Sequence, residues 1–524
     1  MTFLTNEPQS MGERVIALAE RDPGRTLRWV LTFHFLVWSA LPFFVCSNLQ
    51  LDLVEHLALG KEWQLGYWKH PPLPWWTADL AFRIAGDPRA VYVLGPLASL
   101  GALYAVWKLA FETVGPHKAL IAVLPLEGLH FFNFSAVKFN HDVMLLPFWT
   151  FAGYLLFRAL TRNRWIDWVL TGAVLALGFW TKYTIFTLVA AVGLFFLYDP
   201  IARQKLKTAG PYLAALAFLL ISAPHFWWLV SHSFLPFQHV LVRAQEAKHW
   251  YDYVVFPARW IVGQAFFLLP TVGLLSLVLA KPARENEGNA AEGFVRRYVF
   301  MLAVGPFALT TLAAAVLGRL PVAMWGYPLW SFAPLAAVMY FSPILDRRRM
   351  RLFARAFAAI LIAFPLAFAL DELFESFVRD RAKATDFPGR QLADVVTRRW
   401  HEKFGTPLLY VGGADFGSSG VGEFPANNVA VYSSDRPHVI VHGDPHLSPW
   451  IDVTDVKRRG AVFVWQQHPL PEAVASALKA NFPAVEFQAP LTLPRQTLYP
   501  RKPAVVGYAI LAPDPGYAND TSPR

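Results

Sequence analysis

Apolar runs of bilayer-spanning length recur between residues 28 and 370, and they dictate what this chain can fold into. A hydrocarbon core about 30 Å thick takes roughly 20 residues of helix, and inside it every backbone N–H and C=O must find a partner within its own segment. About eleven segments satisfy this by hydropathy: 28–47, 91–113, 117–136, 142–160, 165–180, 183–198, 211–230, 255–280, 297–318, 323–343 and 352–370. Proline-bearing pairs can be divided differently, giving a range of roughly nine to thirteen. With 55% hydrophobic and 16% charged residues, the chain is too apolar for an ordinary water-soluble enzyme. It reads as a polytopic α-helical membrane protein.

The net charge of +10 invites a nucleic-acid reading, but the cations fall in short loops between apolar runs rather than on one folded face. They occupy every second loop: Arg14–Arg28, Lys118, Arg162 with Arg164, Arg203–Lys207, Lys281–Arg297 and Arg347–Arg351. The positive-inside rule assigns that set to the cytoplasm. The other set, 48–90, 137–141, 181–182, 231–254, 319–322 and everything after 371, is then extracytoplasmic. This gives a cytoplasmic segment 1–27, a membrane domain 28–370 with a long external loop 48–90, and an external domain 371–524, in a bacterial inner membrane. The first apolar run lacks a small-residue cleavage site and is read as an uncleaved helix. Cys46 is the single cysteine, so no intramolecular disulfide and no cysteine-built metal site can form.

Beyond residue 371 the composition changes. The stretch from Asp371 to Gly405 reads as amphipathic helix. The runs PLLYVGG, NNVAVYSS, HVIVHG and GAVFVWQQ read as short strands between Gly, Pro, Asp and Asn. Alternating helix and strand predicts a small external α/β domain. GGADFGSSG (412–420) and DPHLSPWID (444–452) are its most unusual runs. A lone glycine-rich loop is weak evidence for phosphate binding, and a tight strand-to-helix connection explains it as well.

Carboxylates and cations gather in the external loops. The first loop, LDLVEHLALGKEWQLGYWKHPPLPWW, holds Asp52, Glu55, Lys69 and His70 just beyond an apolar run. Acids at that depth are costly unless they face a polar cavity. Ordinary loop charges remain the alternative, and Glu55 is either a second acid or such a charge. Asp142 opens an apolar run in VKFNHDVMLLPFW, where a helix N-terminus stabilises a carboxylate; the same placement also suits a plain N-terminal residue. Lys182, in GFWTKYT, either meets a ligand or reaches up to the interface. The loop 231–254 and its approach carry His225, His232, His239, Arg243, Lys248 and His249 among aromatics. No His-x-His or His-x-x-x-His pair occurs there, which disfavours a histidine-built metal site, whereas cations among aromatics suit a lipid phosphate. A carboxylate can take the proton of an attacking hydroxyl, and cations can stabilise a departing phosphate. Transfer of a sugar from a lipid phosphate to a hydroxyl uses both.

These residues resemble a known family. Asp52, then Gly66-Tyr67, His70-Pro71-Pro72-Leu73 and Trp75-Trp76, follow the pattern of the integral-membrane glycosyltransferases of the GT-C class, which includes protein O-mannosyltransferases and bacterial aminoarabinose transferases. Asp52 falls at that family's leading acid, although Leu53 replaces the usual following Glu and His70 stands where Lys is common. Asp142 resembles the second acidic position and Lys182 the lysine of a G-x-x-x-L-T-K segment. By motif the likeness covers 28–200, and beyond that it rests on layout. It implies a GT-C fold and transfer from a polyprenyl-phosphate sugar to an acceptor hydroxyl on lipid A, lipopolysaccharide core or another glycolipid. In that reading Asp52 is the base, Asp142 supports it or helps to hold a divalent cation (Mg or Mn), and Lys182, Arg243, Lys69 and His70 meet the donor phosphate. The rivals are a transporter or flippase, and a non-catalytic envelope assembly protein. Midplane charges and inverted repeats would mark a transporter, and this sequence shows neither.

Overall fold

The structure is a computed structural model that describes residues 11–282, 290–379, 382–414, 423–466 and 469–515. The glycine-rich run at 412–420 lies mostly outside them. Among the described residues, seven helices are long and apolar enough to cross a membrane: Pro23–Val45, Pro88–Val114, His141–Arg162, Gly210–Ser231, Asp252–Ser276, Ala290–Leu317 and Arg347–Val378. A broken pair, Pro116–Gly128 and His130–Lys138, bends by 83° and forms an eighth candidate. Trp165–Thr181 and Ile185–Tyr198 are shorter apolar helices. The chain is a multi-pass membrane protein. It divides into two compact units, the first comprising Met1–Ala40, Val93–Trp227 and Ala244–Phe368, the second Leu41–Tyr92, Trp228–Arg243 and Ala369–Arg524.

The first unit is helical, and glycines let its backbones approach closely. A Cβ on Gly95 would lie 1.9 Å from the Ala136 carbonyl oxygen, and one on Gly172 would lie 2.0 Å from that of Ala214. The segment 323–343, read as a span, is instead a 3-10 turn Ala323–Trp330 followed by the short helix Ala333–Tyr340. The reason is local. Gln264, a buried amide in the Asp252–Ser276 helix, donates to the Ala323 carbonyl at 3.0 Å and accepts from the Trp330 indole at 2.9 Å. Satisfying that amide holds Gly326 against it and leaves no room for a continuous helix.

Two small antiparallel pairs tie loops of this unit together. The strands β1 (Gln245–Glu246), β2 (Leu279–Pro282), β3 (Arg319–Leu320) and β4 (Phe341–Pro343) pair as β1 with β3 and β2 with β4. The first pair joins two loops that the charge alternation assigns to one side, and the second joins two assigned to the other. Ion pairs Arg162–Glu112 and Arg297–Asp199, both at 2.7 Å, link further loops of the positively charged set.

The second unit carries the helix Leu51–Gly60, the helix Leu73–Ala85 and the α/β region. Its strands are β5 (Tyr410–Gly412), β6 (His438–Ile440), β7 (Ala461–Trp465), β8 (Glu486–Leu493) and β9 (Ala504–Leu511), in the order β6-β5-β7-β9-β8. β5 runs parallel to β6 and β7, whereas β9 is antiparallel to β7 and β8. Ile440, Phe463, Leu478 and Phe482 belong to its buried core. The sequence predicted a strand at NNVAVYSS, but the structure has the helix Phe424–Tyr432 there. Pro425 in its first turn presets helical φ, and every residue from Phe424 to Val431 is buried, so the alternation that marks a half-exposed strand has no meaning at this site. The stretch predicted as one amphipathic helix is two: Arg347–Arg379 continues past residue 371, and Gly389–Phe404 starts anew after Pro388. β8 and β9 were not anticipated.

Candidate functional site

In the first unit, Asp142 and Lys182 form a buried ion pair, with Nζ 2.6 Å from Oδ2. Asp142 lies in the first turn of His141–Arg162, where the positive end of the helix dipole favours an anion. The cap is Asn140, whose Oδ1 accepts from the backbone N–H groups of Asp142 at 3.1 Å and Val143 at 3.2 Å. With the capping role filled by its neighbour, Asp142 is not needed there as a cap. Lys182 sits at the opposite kind of terminus, just after Trp165–Thr181, where its N–H bonds to the Gly178 carbonyl at 2.8 Å. A cation is favoured at that end. Its ammonium also lies 5.8 Å from the centre of the Trp325 ring. Nearby, Tyr183 stacks on His225, and its hydroxyl lies 3.1 Å from Nε2.

In the second unit, Asp52, Glu55 and His56 are spaced three and four residues apart, so they share one face of Leu51–Gly60. Asp52 is in the first turn, half-buried, and its carbonyl oxygen meets His56 Nδ1. The segment that follows is a fold-back. Tyr67 N–H donates to the His70 carbonyl at 3.2 Å, the Tyr67 hydroxyl donates to the Leu59 carbonyl at 3.1 Å, and Pro74 opens the helix Leu73–Ala85. Gly66 packs on Trp228 so tightly that a Cβ would lie 2.1 Å from the indole. The outcome is that Lys69 returns to Leu51–Gly60 and bonds Glu55 at 2.6 Å.

The charges in this unit are crowded. Burial pushes the Glu55 carboxyl above its usual range; Lys69 opposes that, and Glu423 adds to it. Burial also works against the Lys69 ammonium, but Glu55, Asp52 and Glu423 together hold its pKa above the ordinary lysine value. Burial lowers the His56 pKa against the opposing pull of Asp52 and Glu55. Glu423 and His442 come from the α/β region, where Glu423 Oε1 accepts from the His442 N–H at 2.7 Å and lies 3.4 Å from its Nδ1. His442 follows the C-terminal end of β6 with φ of +53°, a conformation that costs a non-glycine residue energy. The Trp68 ring lies edge-on between His442, centroids 5.2 Å apart, and His239, 4.9 Å. His70 approaches His239 at 5.9 Å and Trp75 at 6.4 Å between ring centres. Arg243, at the end of Leu235–Arg243, is exposed.

The structure thus joins Asp142 to Lys182 in one unit, and Asp52, Glu55, Lys69 and His70 in the other. Glu423, His442 and Trp68 were missed by sequence reasoning. A histidine and glycine closing a β-rich run, as in HVIVHG, were the available signal for one of them. Among the described residues, no group of three or more His, Cys, Asp or Glu side chains gathers as a cation site.

Comparison with known proteins shows what this chain is similar to. Residues 69–228 match the family model described as dolichyl-phosphate-mannose-protein mannosyltransferase. The fold matches the crystal structure of ArnT from Cupriavidus metallidurans bound to undecaprenyl phosphate with a TM-score of 0.59, over 92% of this chain and 98% of that one, at 12% identity. The chain shares the fold of that structure. ArnT from the same organism in the apo state matches at a TM-score of 0.53 and 13% identity, over 92% of this chain and 97% of that one. At such identities the likeness is one of fold. Among curated relatives, the lipid A galacturonosyltransferase RgtD of Rhizobium johnstonii is 26% identical over 231 residues, 42% of this chain and 46% of the relative. The lipopolysaccharide core galacturonosyltransferase RgtB of the same organism is 22% identical over 360 residues, 66% of this chain and 72% of the relative. The match thus spans about half of the first relative's length and somewhat more of the second's.

Proposed function

We propose that this protein moves a uronic-acid-type sugar from a polyprenyl-phosphate donor to a hydroxyl of lipid A or lipopolysaccharide core, at the periplasmic face of the bacterial inner membrane. The observation that carries the reading is that each unit buries a carboxylate–lysine pair at 2.6 Å, Asp142–Lys182 and Glu55–Lys69, in a chain of GT-C fold. Buried pairs of this kind are poor stabilisers, because desolvation offsets most of the Coulombic gain. Their expense fits a chemical use, binding an anion and moving a proton. The sugar and acceptor come from the galacturonosyltransferase relatives, and the polyprenyl carrier from the lipid named with the matching ArnT structure. The N-terminus is assigned to the cytoplasm and the α/β region to the periplasm on the loop-charge alternation.

Roles are assigned unit by unit. Asp52 takes the proton of the acceptor hydroxyl; its half-buried position at a helix start leaves it reachable. Glu55 stays with Lys69 and sets the local charge. Lys182, with Asp142 as its resting partner, meets the donor phosphate, where an ammonium stabilises the charge that grows on the leaving oxygens. Arg243, Lys69 and His70 provide further phosphate contacts. No step is routed through a divalent cation; dependence on Mg or Mn would show as activity lost to a chelator and restored by the metal.

The test is direct. The purified full-length protein is mixed with a polyprenyl-phosphate uronate and lipid A, and the lipid is weighed by mass spectrometry. A product heavier by one hexuronate supports the reading, and its absence with Asp52→Asn supports the base. Transfer of a neutral sugar in preference to the uronate would overturn the substrate class, and no transfer to any glycolipid would overturn the reaction.

A further inference from the structure

One buried acid of the first unit has no part in the roles assigned above. Glu127 lies on the 3-10 turn Leu124–Gly128, where the pair Pro116–Gly128 and His130–Lys138 bends by 83°. Its carboxylate accepts from His34 Nδ1, which lies 2.9 Å from Oε1 and 3.0 Å from Oε2, and both residues are buried. His34 is the middle residue of the span Pro23–Val45, about 16 Å along the helix from either end. Ionisable groups at that depth are costly and mark a function.

Between this pair and the Asn140 cap the backbone is irregular. Inside a bilayer such backbone persists only where protein groups around it satisfy its polar atoms. Here the Glu127 carbonyl accepts from Asn133 Nδ2 at 2.8 Å, and Asn133 Oδ1 accepts from the Phe134 N–H at 2.6 Å. The Asn133 carbonyl then accepts from the Ala136 N–H at 2.9 Å, and the Ala136 carbonyl from the Phe139 N–H at 2.9 Å. Phe139 has φ of +21°, which a bulky residue holds only where its surroundings fix it. The next residue is Asn140, the cap of the helix that opens with His141 and Asp142. A ladder of hydrogen bonds therefore leads from Glu127 to the residue that sets where Asp142 stands. The Pro23–Val45 helix meets this segment a second time, one turn beyond His34: Trp38 lies edge-on to Phe368 at 5.8 Å, and Phe368 to Phe134 at 5.2 Å between ring centres. Those ring contacts fill space, whereas the His34–Glu127 hydrogen bond is directional and fixes how the turn is rotated.

We propose that His34 and Glu127 are positioning residues for the Asp142–Lys182 site. Their hydrogen bond fixes the irregular segment 124–140 and so holds Asp142 against Lys182, at 2.6 Å, with the ammonium ready for the donor phosphate. Neither residue touches the donor; both act through the placement of Asp142. The inference rests on the reading of Lys182 as a phosphate-binding residue.

Native mass spectrometry of the full-length protein in detergent, titrated with undecaprenyl phosphate, tests this together with unfolding in denaturant. His34→Leu with Glu127→Leu replaces the pair by apolar groups and strands no charge, a change that is close to neutral for stability. The ring contacts and the Thr271 Oγ1 bond to the Pro125 carbonyl, at 2.9 Å, still hold the segment. The expected result is an unfolding midpoint near that of the wild type with binding about tenfold weaker, within the range of couplings carried by packed networks. His34→Asn keeps a side-chain N–H near the place of Nδ1 and is expected to bind within about twofold of the wild type. Lys182→Met is the reference and is expected to lose at least as much affinity as the double variant. Wild-type affinity in the double variant overturns the positioning role and leaves that of Lys182 standing. A loss in His34→Asn as large as that in Lys182→Met overturns it as well, whether or not the double variant folds. Wild-type affinity in Lys182→Met overturns the reading of the site, and the positioning role with it.

Discussion

Each unit of this protein buries one lysine against one carboxylate at 2.6 Å, and the two pairs live in opposite surroundings. Asp142–Lys182 sits between a helix start and a helix end, so the backbone dipoles favour each charge where it stands. Glu55–Lys69 sits among Asp52, Glu423, His56 and His442, with carboxylates in excess of fixed cations. The first arrangement sets one cation against one anion at two helix termini. The second sets several carboxylates and a histidine around one lysine, which suits the proposed uptake of a hydroxyl proton. In the proposed function the difference separates a phosphate-holding role for Lys182 from an acid–base role for the face of Leu51–Gly60.

The largest effect expected from that separation is kinetic. Asp52→Asn in the full-length protein should lower the transfer rate by roughly 10²- to 10⁴-fold, the usual worth of a general base, with donor affinity unchanged. Lys182→Met should act mainly on donor affinity. Single-turnover rates and donor titrations of the two variants distinguish them. If both variants lose rate and affinity alike, the division of labour is wrong.

Stability gives the next contrast. Lys182→Met strands a buried carboxylate and should cost about 3–5 kcal/mol, measured by denaturant titration in detergent, and adding Asp142→Asn should recover part of it. Lys69→Met should cost less, about 1–3 kcal/mol, because Glu55 already has a raised pKa and can take a proton instead. Equal losses in the two units would remove the distinction between a fixed pair and a proton-sharing cluster.

The smallest effect is a pH slope. His56 has its pKa lowered from 6.5 by burial. Below pH 6.5 the unfolded chain takes up a proton that the folded state refuses, so stability falls as pH drops, by at most about 1.4 kcal/mol per pH unit, until the folded pKa is reached. Above pH 6.5 the group contributes nothing. His56→Gln should flatten the stability profile below pH 6.5, and an unchanged slope would show that burial does not lower the His56 pKa.

The sequence carried the membrane class and the GT-C pattern because those signals are local. Apolar length, loop charge and GYWKHPPL need no knowledge of distant contacts. Pairing does. Lys69 reaches Glu55 only because Gly66 lets the chain press on Trp228, and nothing in the spacing of Lys182 points to Asp142, forty residues earlier. Glu423 and His442 join the cluster from the α/β region, far beyond any motif window. NNVAVYSS was misread because β-branched residues on a wholly buried helix carry no periodicity to betray it. The 323–343 segment failed as a span for a similar reason: one buried amide, Gln264, outweighed a hydropathy average.

The measurement to make first is the mass spectrum of lipid A and lipopolysaccharide core from three strains: wild type, a deletion of this protein, and the deletion carrying Asp52→Asn. Loss of a hexuronate-sized mass from one glycoform in the deletion, not restored by Asp52→Asn, is the expected result. Full restoration by Asp52→Asn, or glycolipids identical in all three strains, would contradict uronate transfer through Asp52.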